Sequence, residues 1–200
     1  MRETSGGWDI DHVKAKLAAM AAADPARERF GAASHRYRLN APVAAAEIGV
    51  FERLHDIRLP TAYRTFLTSL GSGGAGPYYG MIDWAEVAAP GGQPYTPGFL
   101  ATPFPHTGFW NPNTDAANLV PDEEYWHDRW ITGSVAIVHF GCGAYVRLAV
   151  CGRSAGQVWF DDRVSDGGLR PGPDFRDWYL SWLDETPEFS SAFGFGAADT

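Results

Sequence analysis

The stretch from Leu59 to Gly80 (LPTAYRTFLTSLGSGGAGPYYG) constrains the fold more than any other part of the sequence. Proline is favoured in the first helical turn because its missing N–H needs no partner there, so Pro60 predicts a helix start. Apolar residues then follow at i, i+3, i+4 and i+7 and form one stripe that would face a core: Tyr63, Phe66, Leu67 and Leu70. Gly71 is expected to end the helix in a left-handed conformation. The sequence therefore predicts a short buried helix that leads into a glycine-rich turn and the pair Tyr78-Tyr79.

The glycine-rich turn does not have the form of a phosphate-binding loop. Such loops run from a strand into a helix, so that N–H groups at the helix N-terminus point at the anion. Here the order is reversed, and the loop leaves a helix C-terminus, whose partial charge is negative. We therefore assign the glycines of this turn a conformational role.

The charge and the termini exclude several classes of protein. A formal net charge of −8 argues against a nucleic-acid binder, because phosphate backbones need clustered Lys and Arg. The charge is compatible with a basic protein partner, although solubility alone would also explain it. No signal peptide and no run of about 18 apolar residues is found, so we expect no membrane span. Cys142 and Cys151 would lie roughly 25–30 Å apart along a strand, too far for a disulfide. We therefore expect a reduced, cytoplasmic protein.

Helical periodicity predicts three further helices. The first covers Trp8 to Ala23, with an inward face made of Ile10, Val13, Leu17 and Met20. The second covers Pro42 to His55, with Ile48, Phe51 and Leu54 inward. The last begins after Asp174 as the N-cap and has a strong apolar stripe of Phe175, Trp178, Tyr179, Trp182 and Leu183. Such an aromatic stripe is typical of a helix that covers a sheet.

The second half of the chain predicts an antiparallel sheet. Val135 to Val138, Ala144 to Cys151 and Gln157 to Phe160 are β-prone runs joined by glycine turns, and their alternation indicates one buried and one partly exposed face. Pro90 to Pro112 is expected to be an ordered loop or a set of edge strands. Asn113 to Tyr125 is polar and turn-like and could be a mobile flap. Helices followed by a meander and a closing helix predict an α+β domain.

The residue types that could act in catalysis or bind a metal do not form a convincing catalytic or metal site. The metal candidates lack ligand spacing: His106, His127, His139, Cys142 and Cys151. Asp161 and Asp162 are adjacent on a strand and point to opposite faces, so they cannot serve alone as an acid and base pair. Cys142 is the only nucleophile candidate, and its glycine neighbours are explained equally well by a turn. We expect no catalytic residue, metal or cofactor.

Aromatic residues are unusually frequent outside the predicted core helices. The set comprises Tyr78, Tyr79, Trp84, Phe109, Trp110, Trp126, Trp130 and Trp159. Trp and Tyr are the usual anchors of protein interfaces, and they also stack on sugars. At least half of this set is expected to fill space between the sheet and the loops.

These features resemble the SUKH superfamily, which contains the fungal Smi/Knr cell-wall regulators and many bacterial immunity proteins. The matching residues are Phe51-Glu52, Leu59-Pro60 with Tyr63 and Phe66-Leu67, the Gly71 to Gly80 loop, Pro103-Phe104 with Trp110, Gly141-Cys142-Gly143, Gly156 to Trp159 with Asp161, and Phe175 with Trp178-Tyr179 and Trp182-Leu183. The resemblance covers roughly His35 to Asp184. It divides the chain into an N-terminal helical extension (1–34), a SUKH-like domain (35–185) and a C-terminal tail (186–200) that we expect to be flexible.

The resemblance implies an α+β domain with a curved, mainly antiparallel sheet, no enzymatic activity and a role in binding. Bacterial members are similar to antidotes that block toxins, often nucleases or deaminases, so the expected partner is a cognate toxin domain, and neither nucleic acid nor a membrane. A regulator of cell-wall synthesis that binds a wall enzyme or carbohydrate is the alternative, and an enzyme comes third. The oligomeric state stays open.

The expected partner-binding cleft combines loop aromatics with acidic residues. Its members are Tyr78, Tyr79, Trp110, Asp161 and Asp162, with Asp122, Glu123 and Glu124 at the rim. An acidic, aromatic surface of this kind would cover the active site of a basic toxin.

Overall fold

A computed structural model describes residues 7–115 and 119–185. In chain order the helices are α1 (Ile10–Ala23), α2 (Ala32–His35), α3 (Ala45–His55), α4 (Thr61–Thr65), α5 (Trp84–Ala88), α6 (Asp122–Tyr125) and α7 (Phe175–Leu183). The strands are β1 (Ser134–Gly141), β2 (Ala144–Ala149), β3 (Gln157–Asp161) and β4 (Leu169–Asp174), and single 3₁₀ turns cover Pro90–Gly92, Asp128–Trp130 and Arg163–Ser165. The predicted α+β class is confirmed. The predicted tail, 186–200, lies outside the described residues.

The sheet is an antiparallel meander in the order β1-β2-β3-β4. Three of its strands were predicted, and the pairing of Ser134 with Ala149 and of Tyr145 with Asp161 sets their register. Strand β4 was not predicted, because Pro171 and Pro173 lie inside it. Proline has no N–H to give to a ladder and is confined to edge strands, and β4 is an edge of this sheet.

The helix predicted after Pro60 is more irregular than expected, because only its first five residues are α-helical. It begins at Thr61, directly after Pro60, and continues beyond Thr65 as a π-helical turn, Phe66–Leu70. The predicted apolar stripe is confirmed, since Tyr63, Phe66, Leu67 and Leu70 are all buried. The predicted left-handed conformation of Gly71 is wrong.

Gly71 is needed for close packing and not for a left-handed turn. Its φ of 178° is extended backbone, and its N–H closes the π-turn on the Phe66 carbonyl at 3.0 Å. A Cβ at this position would lie 2.7 Å from the carbonyl oxygen of Asn40. The absence of a side chain therefore lets residues 39–40 approach the end of the helix.

The main core lies between one face of the sheet and the helices. Helix α7 contributes Phe175 and Tyr179, which are fully buried, and its predicted stripe is confirmed except at the half-buried Trp182. Trp8, in the segment predicted as an extension, is also fully buried and contacts both rings. Its indole N–H donates to the Ala62 carbonyl at 2.9 Å. The described part of the N-terminal segment thus shares the core.

Helix α3 turns a different face inward than the apolar pattern predicted. Ile48 and Phe51 are buried as expected, but Leu54 is 73% exposed and its predicted burial is wrong. Glu52 takes the inward position instead and is 2% exposed. Its carboxylate accepts the Leu59 N–H at 3.0 Å. A polar group can be buried here because the chain leading into α4 supplies its hydrogen bond.

The second face of the sheet is covered at its centre but is partly exposed as predicted, since His139 is exposed and Tyr145 is half-buried. Arg147, Ala149 and Trp159 on this face are all buried. The proline-rich loop after α5 and the segment around residue 130 cover them with Phe104, Trp110, Trp130 and Ile131.

Within residues 7–115 and 119–185, no helix combines the length and apolar character needed to cross a bilayer.

The segment Asn113 to Tyr125, predicted to be a turn-like flap, contains a short helix. Helix α6 buries Tyr125 and exposes Asp122 and Glu123. Residues 116–118 lie outside the described residues. Helix α6 places the acidic residues of this segment beside the sheet.

Candidate functional site

All four strands end or begin at the same end of the sheet, which we call the turn end. Strand β1 ends at Gly141, β2 begins at Ala144, β3 ends at Asp161 and β4 begins at Leu169. Antiparallel order brings these four positions together. The residues predicted for partner binding gather around this end, but their exposure differs widely.

Tyr79 is exposed at the turn end and packs on a second aromatic residue that the sequence reasoning did not single out. Its side chain is 44% exposed, and its ring centroid lies 5.1 Å from that of Phe30, which is 61% exposed. A Cβ at Gly141 would lie 3.1 Å from the Tyr79 ring. Gly141, with a φ of 116°, thus lets the tyrosine lie on the β1–β2 turn.

Two further exposed apolar side chains continue this surface. Val164, 43% exposed, follows β3 and would lie 3.3 Å from a Cβ at Gly143 in the same turn. The next residue back along the chain, Arg163, holds its guanidinium 5.1 Å from the ring centroid of Trp126. Trp126 is 47% exposed. We call Phe30, Tyr79, Val164 and Trp126 the apolar arc.

The acidic residues of α6 flank the Trp126 end of the arc. Asp122 and Glu123 are exposed, and no Lys, Arg or His of the described chain lies within 4.0 Å of either carboxylate. Both lie in the first helical turn, where the helix dipole favours negative charge. Glu124 is half-buried and forms an ion pair with Arg129. Asp122 and Glu123 are therefore available to a partner, whereas Glu124 is engaged within the chain.

Tyr78, the neighbour of Tyr79, is buried. Its φ of 55° turns the ring inward against Phe140, with centroids 4.3 Å apart. Only 8% of the residue is exposed, and burial raises the pKa of its hydroxyl. Tyr78 packs against strand β1 at the turn end and is not part of the accessible surface.

Asp161 is the centre of a buried ion cluster. It accepts two hydrogen bonds from Arg163, at 2.7 and 2.8 Å, and lies 3.5 Å from Arg147. All three residues are less than 10% exposed. Arg163 also donates to the Tyr125 carbonyl, and Arg147 donates to the Ser134 hydroxyl. Asp161 therefore joins α6 to the sheet and cannot be reached by a partner that docks on the surface.

Asp162 and Trp110 occupy intermediate positions. The Asp162 side chain is 15% exposed and lies 3.7 Å from Arg170. Trp110 stacks on Tyr125 with centroids 5.7 Å apart and exchanges two backbone hydrogen bonds with Leu169. Trp110 therefore mainly packs between α6 and strand β4 and contributes little to the accessible surface.

The cavity beside the two aspartates is too small for an organic ligand. It is lined by Phe140, Asp161 and Asp162, among others, and measures about 20 Å³. This volume suits about one water molecule, whereas sites for drug-sized ligands are typically about 300–1,000 Å³. The predicted residues therefore surround a surface and not a cleft at this point.

The described residues offer no support for catalysis at the turn end. Among residues 7–115 and 119–185, no three His, Cys, Asp or Glu side chains are placed to hold a metal ion. Cys142 is exposed, and within the same residues no hydrogen bond joins it to a histidine. His106, the best buried histidine on this side, bonds the Trp130 carbonyl, and burial lowers its pKa.

Of the apolar arc, the expected partner-binding cleft included only Tyr79; Trp126 was named among the aromatic residues, and Phe30 and Val164 were not singled out. Phe30 lies in an irregular segment, and Val164 in a single 3₁₀ turn, so neither belongs to a periodic pattern. The glycine that follows Phe30 is the one sequence feature that could have pointed to this residue. A Cβ at Gly31 would lie 1.5 Å from the Tyr78 carbonyl oxygen, so this glycine is required for contact with the tyrosine loop.

Comparison with known proteins supports the relationship seen in the sequence. No curated protein and no solved structure gave a match. The family model of the SMI1 / KNR4 family (SUKH-1) matches residues 42–181, well over half of the chain. The matched range includes the π-turn helix, the whole sheet and most of α7. The chain therefore belongs to the SMI1 / KNR4 family (SUKH-1).

Proposed function

We propose that this protein is a non-catalytic antidote that binds a toxin domain through the turn end of the sheet and occludes the toxin's active site. The observation that carries the proposal is the apolar arc. The described residues contain eight large hydrophobic side chains that are strongly exposed, and four of them form this one arc. Exposed apolar side chains gathered at one end of a sheet are characteristic of interaction sites, and Tyr and Trp are frequent energetic anchors.

The charge beside the arc indicates the chemistry of the partner. Asp122 and Glu123 have no cationic neighbour within 4.0 Å in the described chain, and the net charge is −8. Such a surface attracts a basic partner and increases the rate of encounter. Enzymes that act on nucleic acid need basic surfaces, so a nuclease or deaminase toxin fits this pattern. Family membership is compatible with this role, and a cytoplasmic location is part of the proposal.

The first test is a pull-down with the purified chain and the products of the neighbouring genes, followed by measurement of affinity for the recovered domain. We expect a basic toxin domain that binds with a Kd on the order of 1 nM, or about −12 kcal/mol. The Tyr79→Ala/Trp126→Ala variant should bind at least about 30-fold more weakly, because the loss of even one anchor residue costs about 2 kcal/mol or more.

The matched control is Val50→Ala/Leu54→Ala, which removes two exposed apolar side chains from α3. It should leave the affinity unchanged. Equal loss in both variants, or no loss in the arc variant, would exclude the arc as the binding surface. Recovery of only wall-synthesis enzymes or saccharides would contradict the antidote and support the regulator.

A further inference from the structure

A second surface, which is basic, is formed mostly by residues that precede the range matched by the family model. A groove of about 550 Å³ runs between α1 and the segment 24–42, with Ser69 and Leu70 at its base. Its floor is aliphatic and includes Leu17, Leu39 and Leu70, and its walls carry Lys14, Arg27, Arg36 and Arg38. We call it the cationic groove.

No carboxylate of the described residues lies within 4.0 Å of the four cations of the groove, which is unusual in this acidic chain. Of the sixteen Lys and Arg residues, Arg2 precedes the described residues and nine lie within 4.0 Å of a carboxylate. The six others, within residues 7–115 and 119–185, are Arg53, Arg153 and the four in the groove. Uncompensated positive charge is therefore concentrated at one place.

The backbone that carries these cations is held in an uncommon conformation. Arg27, Arg36 and Tyr37 have φ values of 58°, 51° and 58°, in the left-handed region that side chains other than glycine rarely adopt. Such conformations persist only where surrounding contacts fix them. Here the Tyr37 hydroxyl donates to Asp24 at 2.5 Å, and the Ala75 N–H donates to the Arg38 carbonyl at 2.8 Å.

The one carboxylate in the groove wall is already compensated. Asp24 accepts the Tyr37 hydroxyl and also the N–H groups of Glu28 and Arg29, at 2.8 and 3.2 Å. The Tyr37 hydrogen bond contributes most to lowering the pKa of Asp24. Burial and this carboxylate raise the pKa of Tyr37 to about 12. The Asp24–Tyr37 pair therefore has a structural role, and Asp24 does not neutralise the four cations, which can bind an external anion.

We infer that the cationic groove binds an acidic peptide segment of a partner protein, with carboxylates on its walls and an aliphatic side chain on its floor. The floor favours a peptide over a nucleotide. Proteins that bind nucleotides without base hydrogen bonds stack the bases chiefly on exposed aromatic faces. The groove's one aromatic residue, Tyr37, is only 6% exposed. The groove and the proposed toxin-binding surface share no residue, since none of the residues that line the groove belongs to the apolar arc.

The test is selection from a displayed library of random twelve-residue peptides against the full chain. A chain with a net charge of −8 repels acidic peptides in general, so their enrichment requires a local site. We expect enrichment of Asp and Glu around one aliphatic position. A fluorescein-labelled selected peptide, measured by anisotropy, should bind at least about tenfold more weakly to Lys14→Glu/Arg38→Glu.

The control is Arg53→Glu/Arg153→Glu, which changes the net charge by the same amount at the two unpaired cations outside the groove. It should retain peptide binding, and thermal unfolding should show that both variants remain folded. Absence of acidic enrichment, equal loss in the two variants, or displacement of the peptide by ATP at lower concentration than by a second acidic peptide would overturn the inference. Toxin binding should be unchanged in Lys14→Glu/Arg38→Glu, which separates this site from the turn end.

Discussion

Trp8 provides the sharpest test of how the core is built, because it lies 34 positions before the residues that match the family. We expect Trp8→Ala to lower the free energy of unfolding by about 3–5 kcal/mol, as for other buried Trp or Phe truncations. The side chain is fully buried and contacts Phe66, Phe175 and Tyr179, with ring centroids 5.7–6.0 Å away. Loss of the hydrogen bond to Ala62 contributes about 1 kcal/mol to such a change.

The measurement is urea unfolding followed by far-UV circular dichroism, which does not depend on the number of tryptophans. With a urea dependence of about 2–3 kcal/mol/M, the midpoint should fall by about 1–2.5 M. Trp8→Phe keeps an aromatic ring in the site and should cost less than the alanine variant. It also provides a measurable value if Trp8→Ala does not fold.

Phe30→Ala is the control, because Phe30 also precedes the matched range but is 61% exposed. It should change the free energy of unfolding by less than about 1 kcal/mol. A loss below about 1 kcal/mol for Trp8→Ala would show that α1 is an appendage and that the core is complete without it. That result would refute the present account of the N-terminal segment.

Two further predictions concern buried polar groups. Asp161→Asn should lower the free energy of unfolding by about 3–5 kcal/mol in urea titrations, because Arg147 and Arg163 would keep buried charges without their carboxylate. Burial lowers the pKa of His35 and His106 from the ordinary 6.5, so the unfolded chain binds more protons as the pH falls through 6.5. The urea midpoint should therefore decrease between about pH 7.5 and 5.5, and His35→Gln/His106→Gln should reduce that decrease.

Each of these predictions has a matched control on the surface. Asp166→Asn changes an exposed aspartate near the same turn and should have little effect, so an equal loss there would contradict the ion-cluster argument. His127→Gln changes an exposed histidine and should leave the pH dependence as it is in the unmodified protein. A midpoint that does not change between the two pH values would contradict the burial argument.

Apolar periodicity predicted the parts of the fold in which a helix faces one core. The stripes of α4 with its π-turn and of α7 were correct because each residue's burial follows from its position around its own helix. Leu54 shows the limit of this reasoning. Which side of α3 faces inward depends on the later Leu59 N–H, which makes it favourable to bury Glu52.

The candidate site was predicted less well because exposure at the turn end depends on contacts between distant segments. Tyr78 and Tyr79 are neighbours of the same type, but Tyr78, whose backbone is left-handed, is buried and Tyr79 is exposed. Asp161 is reached by Arg147, fourteen positions away, through the register of β2 and β3. Neither relation is visible in residue spacing, whereas the exposure of Asp122 and Glu123 follows from local polarity alone.

The packing of α1 against α7 has a consequence for how the chain folds. Trp8, just before α1, contacts Phe175 and Tyr179, and the buried residues of both helices belong to one hydrophobic core. Lys16 of α1 also pairs with Asp184, just after α7, at 2.9 Å. Contacts between residues so far apart in sequence carry a large loop-closure entropy and slow folding. During synthesis, α1 and the π-turn helix must wait for α7 to leave the ribosome before their apolar surfaces are covered. The nascent chain therefore depends on rapid completion, or on a chaperone, more than a domain with mostly local contacts would.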